Sequence, residues 1–390
     1  MSSKKVRVLA VGDPAVEVYV DKNYKILDRW KNNNSIDIDF NIASWENYYN
    51  TMMEDFKAEE PNYDIVMVAG HFWLRDFVEN KFISPMDDYM NLLPKDYEYE
   101  DILPIIREEM KLDGHQYLLP SFCDGHMVLY RKSIVKEVLG YLPKECITID
   151  ELISMVEKVD GFKGLRGIAL KAHVSEILTD FLPYLRSEGI DLFDEDHKPS
   201  FYNDKGIKAL NKYIVLRKYA PVNTNEFGNV EIKDQIQQKK AVFAITWGGQ
   251  LGVVLNEQCE EPEDIGFATL DKPWNVTWSF ALNNNSKNKE DAVRFLAYLT
   301  SKDIDKLVGS YAGSPVRKST YLDETERSKC SWYDAHLEMV EKYAKPLPSL
   351  KGSGEILGIL YEYISKAFNY ELSAEEALRT AHKKIMQCMR

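Results

Sequence analysis

Before residue 80 the chain alternates twice between a short apolar run and a helical pattern, and nothing else limits its possible folds so strongly. Val6–Val11 has the continuous apolar character of a buried strand, and Val16, Val20, Tyr24, Leu27 and Trp30 then recur at near-helical spacing up to Asn32–Asn34. Ile36, Ile38, Phe40 and Ile42 alternate with polar residues, as a strand with one covered face requires. Trp45–Ala58 suits a helix, and Ile65–Ala69 is a further apolar strand. Strands separated by helices predict βαβ units around a parallel sheet, which makes the fold class α/β.

The pattern restarts after Pro120. Val128–Tyr130 reads as a short strand, and Thr148 with Glu151 forms a capping box ahead of a helix carrying Leu152, Met155, Val156 and Val159. Gly167–Leu170 and Ala241–Ile245 read as strands. Helices are expected over 177–186 and near 206–219, with a solvated acidic turn at Asp194–Asp196. Later, Asn288 is placed to cap a helix bearing Ala292, Phe295, Leu296 and Leu299, and Ser373 with Glu376 makes a second capping box. At 390 residues the chain is longer than one hydrophobic core usually supports, so two large lobes are the simplest division.

Composition removes several function classes. A formal net charge of -13 repels nucleic acid and anionic lipid. The five cysteines are scattered and without C-x-x-C spacing, which argues for neither a disulfide framework nor a metal site. No apolar run approaches the roughly 20 residues of a membrane span. There is no phosphate loop, no G-x-S-x-G elbow and no H-E-x-x-H, so neither cofactor nor metal is called for. The opening MSSKKVRVLA runs from charge directly into a strand with no apolar signal region, as in a cytosolic protein or one whose signal has been trimmed.

In parallel sheets ligands bind outside the carboxyl ends of the strands. That rule selects the loops 12–15, 43–46 and 70–73, and with them Asp13, Trp45, Glu46, Gly70 and His71. Glu46 fits equally well as a first-turn helix residue stabilised by the dipole.

Four segments in this order resemble the type 1 extracellular solute-binding proteins, the sugar receptors of ATP-driven importers: YDIVMVAGHFWLRDFVENKFISPMDDY, QYLLPSFCDGHMVLYRKSIV, KKAVFAITWGG and NNNSKNKEDAVRFLAYLTSKD. The resemblance spans nearly the whole chain. It implies a two-lobed periplasmic-binding-protein fold of class II type, with discontinuous lobes and a hinge of three crossings. The crossings fall near Pro120–Asp124, Leu270–Trp278 and Gly313–Val316, giving lobes of 1–121 plus 276–314 and 122–275 plus 315–390. It also implies a small carbohydrate captured between the lobes, delivery to an ABC transporter permease, no catalysis, a monomer, and a periplasmic or lipid-anchored location with the signal lying outside this chain.

A sugar offers an apolar C–H face and a rim of hydroxyls, so its site needs flat aromatic surface and groups that both donate and accept. Trp45, Trp73, Trp247, Trp274 and Trp278 lie at strand ends or crossings, and Trp247 with the adjoining Gly248 is the leading aromatic candidate. Trp73 and Trp274 fit core packing better, and Trp30 and Trp332 look like helix-face packing. Where many relatives carry a Gly-Gly pair this chain has Thr277 and Trp278, which narrows the expected site toward a short ligand. Asp124 stands where relatives place a carboxylate on sugar hydroxyls, yet it and Asp13 also suit capping. His71 matches a ligand-contacting position of relatives, and His173 follows the strand 167–170. Tyr311 suits ligand contact or hinge packing. His115, His197, His336 and His382 read as surface residues. Two rivals stand beside the receptor: a glycoside hydrolase, which needs two carboxyl groups about 5 to 9 Å apart, and the same fold taking a polyamine, an amino-sugar derivative or another polar metabolite.

Overall fold

The computed structural model describes residues 4–389. The chain divides into two compact units, one built from 1–124 with 276–333 and the other from 125–275 with 334–390. The longer strands among the described residues organise them: β1 (Lys4–Val11), β2 (Ile36–Ala43), β3 (Ile65–Ala69), β4 (Leu118–Arg131), β5 (Arg166–Ala169), β6 (Ala241–Trp247), β7 (Ile265–Leu270) and β8 (Asn275–Asn283).

In the first unit β1 pairs in parallel with β2 and with β3, while β8 pairs antiparallel with β3, Trp278 opposite Ala69. The sheet is therefore mixed, not wholly parallel: β8 arrives from a distant part of the chain and has no crossover helix to set its direction. The burial pattern follows position. β3 is buried throughout, whereas β2, on the outer side of β1, is fully buried only at Ile36.

The spacing from Val16 to Trp30 gives two helices instead of one, Pro14–Val20 and Ile26–Asn33. Asp21 Oδ1 accepts from Asn23 N at 2.7 Å, an Asx turn that competes with the helical ladder. Lys25 then adopts a left-handed φ of 53°. Asn288 does sit at the N-cap of Lys289–Leu299, but its side chain donates to Asp64 Oδ1 instead of capping.

Residues 315–333, expected with the second lobe, pack within the first unit. Arg317 is fully buried there and donates to the carbonyls of Thr300, Tyr97 and Glu98, and Trp332 Nε1 donates to Gly313 O. Five hydrogen-bond donors on a buried guanidinium need such a cage of acceptors, and only the first unit supplies it.

In the second unit β4 pairs antiparallel with β6 and β7, and β6 pairs in parallel with β5. The short strand expected at Val128–Tyr130 is the end of the 14-residue β4, buried along its whole length. Both capping boxes form, at Thr148–Glu151 and Ser373–Glu376. The helix Ile177–Ser187 is buried on every side from Ile177 to Arg186, which marks it as the axis of this unit. Among the described residues, no helix is long and apolar enough to cross a membrane.

Candidate ligand-binding sites at the carboxyl ends of the strands

Because β1, β2 and β3 run in parallel, their carboxyl ends share one edge of the first unit's sheet. Gly12, Ser44 and Gly70 follow those ends, and β8 brings Trp278 to the same edge through its pairing with Ala69. Four aromatic rings meet there. Trp45 lies 6.0 Å from Trp278, nearly perpendicular to it, and 6.2 Å from Phe72, while Phe122 stacks on Trp278 at 6.4 Å. Trp45 is 43% exposed although it sits among other aromatics, and Trp278 is half-buried. Trp73 is buried beneath them, 6.0 Å from Trp45, in the packing role expected of it.

The remaining candidate residues of the first unit differ in setting. Asp13 caps the helix Pro14–Val20 by accepting from Ala15 N at 2.8 Å and remains half-buried. Glu46 lies exposed in the first turn of Trp45–Phe56. Gly70 opens the helix Gly70–Glu79, and an added Cβ there would meet only ordinary contacts. His71 is buried, its ring 4.1 Å from Phe72, and burial pushes its pKa down to about 3, so it stays neutral. Asp124 is buried in the middle of β4. Tyr311 stands apart at the end of Lys302–Tyr311, edge-on to Tyr24 at 5.9 Å.

In the second unit the parallel strands β5 and β6 end at Ala169 and Trp247. Trp247 is only 6% exposed, with the Lys171 ammonium 4.0 Å from its ring centre and the His126 ring 4.7 Å away. Its indole N–H donates to Glu176 Oε2 at 3.3 Å. Lys171 donates to Asn229 Oδ1, and Asp180 accepts from Tyr213 OH at 2.9 Å. Burial raises the carboxyl pKa values of Glu176 and Asp180, the latter to about 7, with Lys171 opposing both shifts. Burial also holds His126 well below the usual imidazole range; its Nδ1 accepts from Trp274 N at 3.1 Å. His173 is exposed, its Nδ1 2.8 Å from Ser175 Oγ.

Gly248 has a packing role. A Cβ there would lie 2.0 Å from His336 Nε2. His336 is thus a correction to the sequence reading: it is fully buried, with its pKa pushed down to about 3 by that burial.

Sequence reasoning missed Lys171, Glu176, Asp180 and His126 in the second unit. Lys171 was within reach of the strand-end rule, since it follows β5 two residues before His173. Glu176 and Asp180 carry no such signal, because they flank the start of a helix whose burial on all sides the sequence does not announce. Among the described residues, no group of three or more His, Cys, Asp or Glu is placed to hold a metal ion.

The sequence model of the bacterial extracellular solute-binding proteins matches residues 17–306. The chain belongs to that family. Among characterised solute-binding proteins, the mannitol-binding protein of Pseudomonas aeruginosa is 25% identical over 335 residues, 77% of this chain and 76% of that one. The erythritol/L-threitol-binding protein of Mycolicibacterium smegmatis is 22% identical, covering 87% of this chain and 76% of its own length. Solved structures of solute-binding proteins share the fold. The maltose-bound MalE3 of T. maritima superposes with a TM-score of 0.87 at 20% identity, over 98% of this chain and 99% of that one. A solute-binding protein of Agrobacterium vitis with bound D-mannitol gives 0.84 at 23%, over 99% of this chain and 98% of that one. The two-lobed α/β fold of the periplasmic binding proteins is therefore the fold of this solute-binding protein.

Proposed function

We propose that this protein captures a short, uncharged polyhydroxylated compound, an acyclic polyol or a small sugar, and passes it unaltered to the permease of an ABC importer. It works as a monomer on the outer side of the cytoplasmic membrane, in the periplasm or as a cell-surface lipoprotein. The observation that carries the reading is the partly exposed aromatic shelf of Trp45, Phe72 and Trp278 at the carboxyl ends of the first unit's strands. Flat rings lose little conformational entropy on contact and match the C–H face of a carbon chain or pyranose, leaving the hydroxyls to polar groups. Asp13, Glu46 and Asp124 are the proposed acceptors on this unit, with the backbone at Gly70 beside them, and Glu176, His173 and Trp247 are the proposed contacts on the other.

Two relatives bear names of polyol binders, and neighbours of the same fold were solved with mannitol, ribitol and maltose, which supports this class of ligand. The bulk of Trp278 favours the shorter members.

The test is a thermal-shift screen followed by titration calorimetry with D-mannitol, ribitol, maltose and spermidine. Stabilisation by polyols or sugars is the expected result, and stabilisation by spermidine alone would overturn the ligand class. Chromatography of a maltose and maltotriose incubation checks the rest: any cleavage product would overturn the reading of capture without chemistry.

A further inference from the structure

Lys171 is 1% exposed, and an ammonium so thoroughly removed from water needs negative charge close by. It lies over the Trp247 ring and donates to Asn229, and its field acts on both Glu176 and Asp180. One fixed positive charge therefore faces two carboxyl groups. Among the other titratable groups packed around them, His173 acts on Glu176 in the same direction as Lys171. Burial keeps His126 neutral and holds the phenols Tyr184, Tyr213 and Tyr361 in their protonated form. Arg186 pairs with Asp191 at 3.1 Å, a carboxylate that it shares with Lys345 at 2.9 Å. Asp180, pushed up to about 7, retains much of its proton near neutrality, so Lys171 faces less than two full negative charges. Within this group Glu176 is half-buried and Asp180 is not exposed, which makes Glu176 the carboxylate that a ligand reaches.

We propose that Lys171 determines specificity for ligand charge: by compensating Glu176 and Asp180 it makes this end of the second unit accept uncharged polyhydroxylated ligands and refuse amines. The inference rests on the ligand class proposed above. Lys171 acts through Glu176, as a positioning residue, and does not itself meet the ligand. Without its ammonium Glu176 lacks the cation that holds it ionised against burial, and a ligand amine can take that place as counter-charge, whereas a neutral ligand cannot.

Calorimetry at neutral pH with two matched series, D-glucitol, D-glucamine and D-gluconate, and D-glucose, D-glucosamine and D-glucuronate, tests this on the full chain. Wild type is expected to take the neutral member. Lys171→Met is expected to shift the amine-to-neutral affinity ratio toward the amine by on the order of tenfold. Lys171→Arg should restore the wild-type ratio, and Glu176→Gln should shift preference the opposite way, toward the carboxylate. An unchanged ratio in Lys171→Met overturns the inference. Should that variant not fold, an unchanged ratio in Glu176→Gln overturns it. Wild type that binds no neutral member of either series, nor any polyol or sugar of the earlier screen, overturns the proposed function and this inference together. Neutral binding with ratios that no variant moves overturns the inference alone.

Discussion

An alanine at position 248 would place its Cβ 2.0 Å from His336 Nε2, on a ring that is itself fully buried. The imidazole has no exposed direction in which to swing, so Gly248→Ala is expected to destabilise the protein by about 1–3 kcal/mol in urea unfolding. Trp45 has a different profile. Because 43% of it is exposed, Trp45→Ala should cost less in unfolding than truncation of a buried tryptophan, about 1–2 kcal/mol, while weakening the polyol affinity roughly tenfold in calorimetry. The strand-end rule reached Trp45, Glu46, Gly70 and His71 because each lies within a few residues of a strand legible by itself. It could not show that Trp247 is enclosed by Lys171 and His126, since those neighbours come from β4 and the loop after β5. His336 was misread for a related reason. Asp334 and Glu338 flank it in sequence, but a helix of period 3.6 turns the residue between them to another face.

Elements were legible where their signals are local. The capping boxes are the clearest case, because four consecutive residues contain the whole device; Thr148→Ala is expected to lower stability by about 1 kcal/mol, measured by denaturant titration. The break between Pro14–Val20 and Ile26–Asn33 was hidden by apolar residues that keep near-helical spacing across it, and only the Asx turn at Asp21 reveals it. β4 was underestimated because its first half, Leu118–Phe122, contains Pro120 and reads as a connection. The direction of β8 is not written in any local pattern, since pairing partners so far apart are chosen by the sheet.

At the scale of the molecule, buried ionisable groups in both units shape the response to acid. His71 and His336 have folded pKa values of about 3 against an ordinary value of 6.5, so the stability that depends on their neutrality is complete above about 6.5 and is lost as pH falls toward 3. Each removes roughly 2 kcal/mol at about pH 5. Asp180 works in the other direction: its folded value of about 7 exceeds the ordinary 3.8, so its penalty is full above 7 and relieved as pH falls toward 3.8. Asp180→Asn is therefore expected to raise the melting temperature relative to wild type at about pH 8, with the difference shrinking by about pH 5 in calorimetric scans. The two-unit organisation was legible from length and repeated α/β patterning, while the allegiance of 315–333 was not, because the cage around Arg317 is assembled from carbonyls that no sequence pattern marks. The pairing of β3 with β8 also sets a timetable. A ribosome adding 5–20 residues per second reaches Asn275 about 200 residues after Ala69, so one border of the first sheet stays open for on the order of ten to forty seconds. During that interval the nascent chain is unfinished in its first unit, the state in which an unfolded polypeptide is still able to be threaded across a membrane.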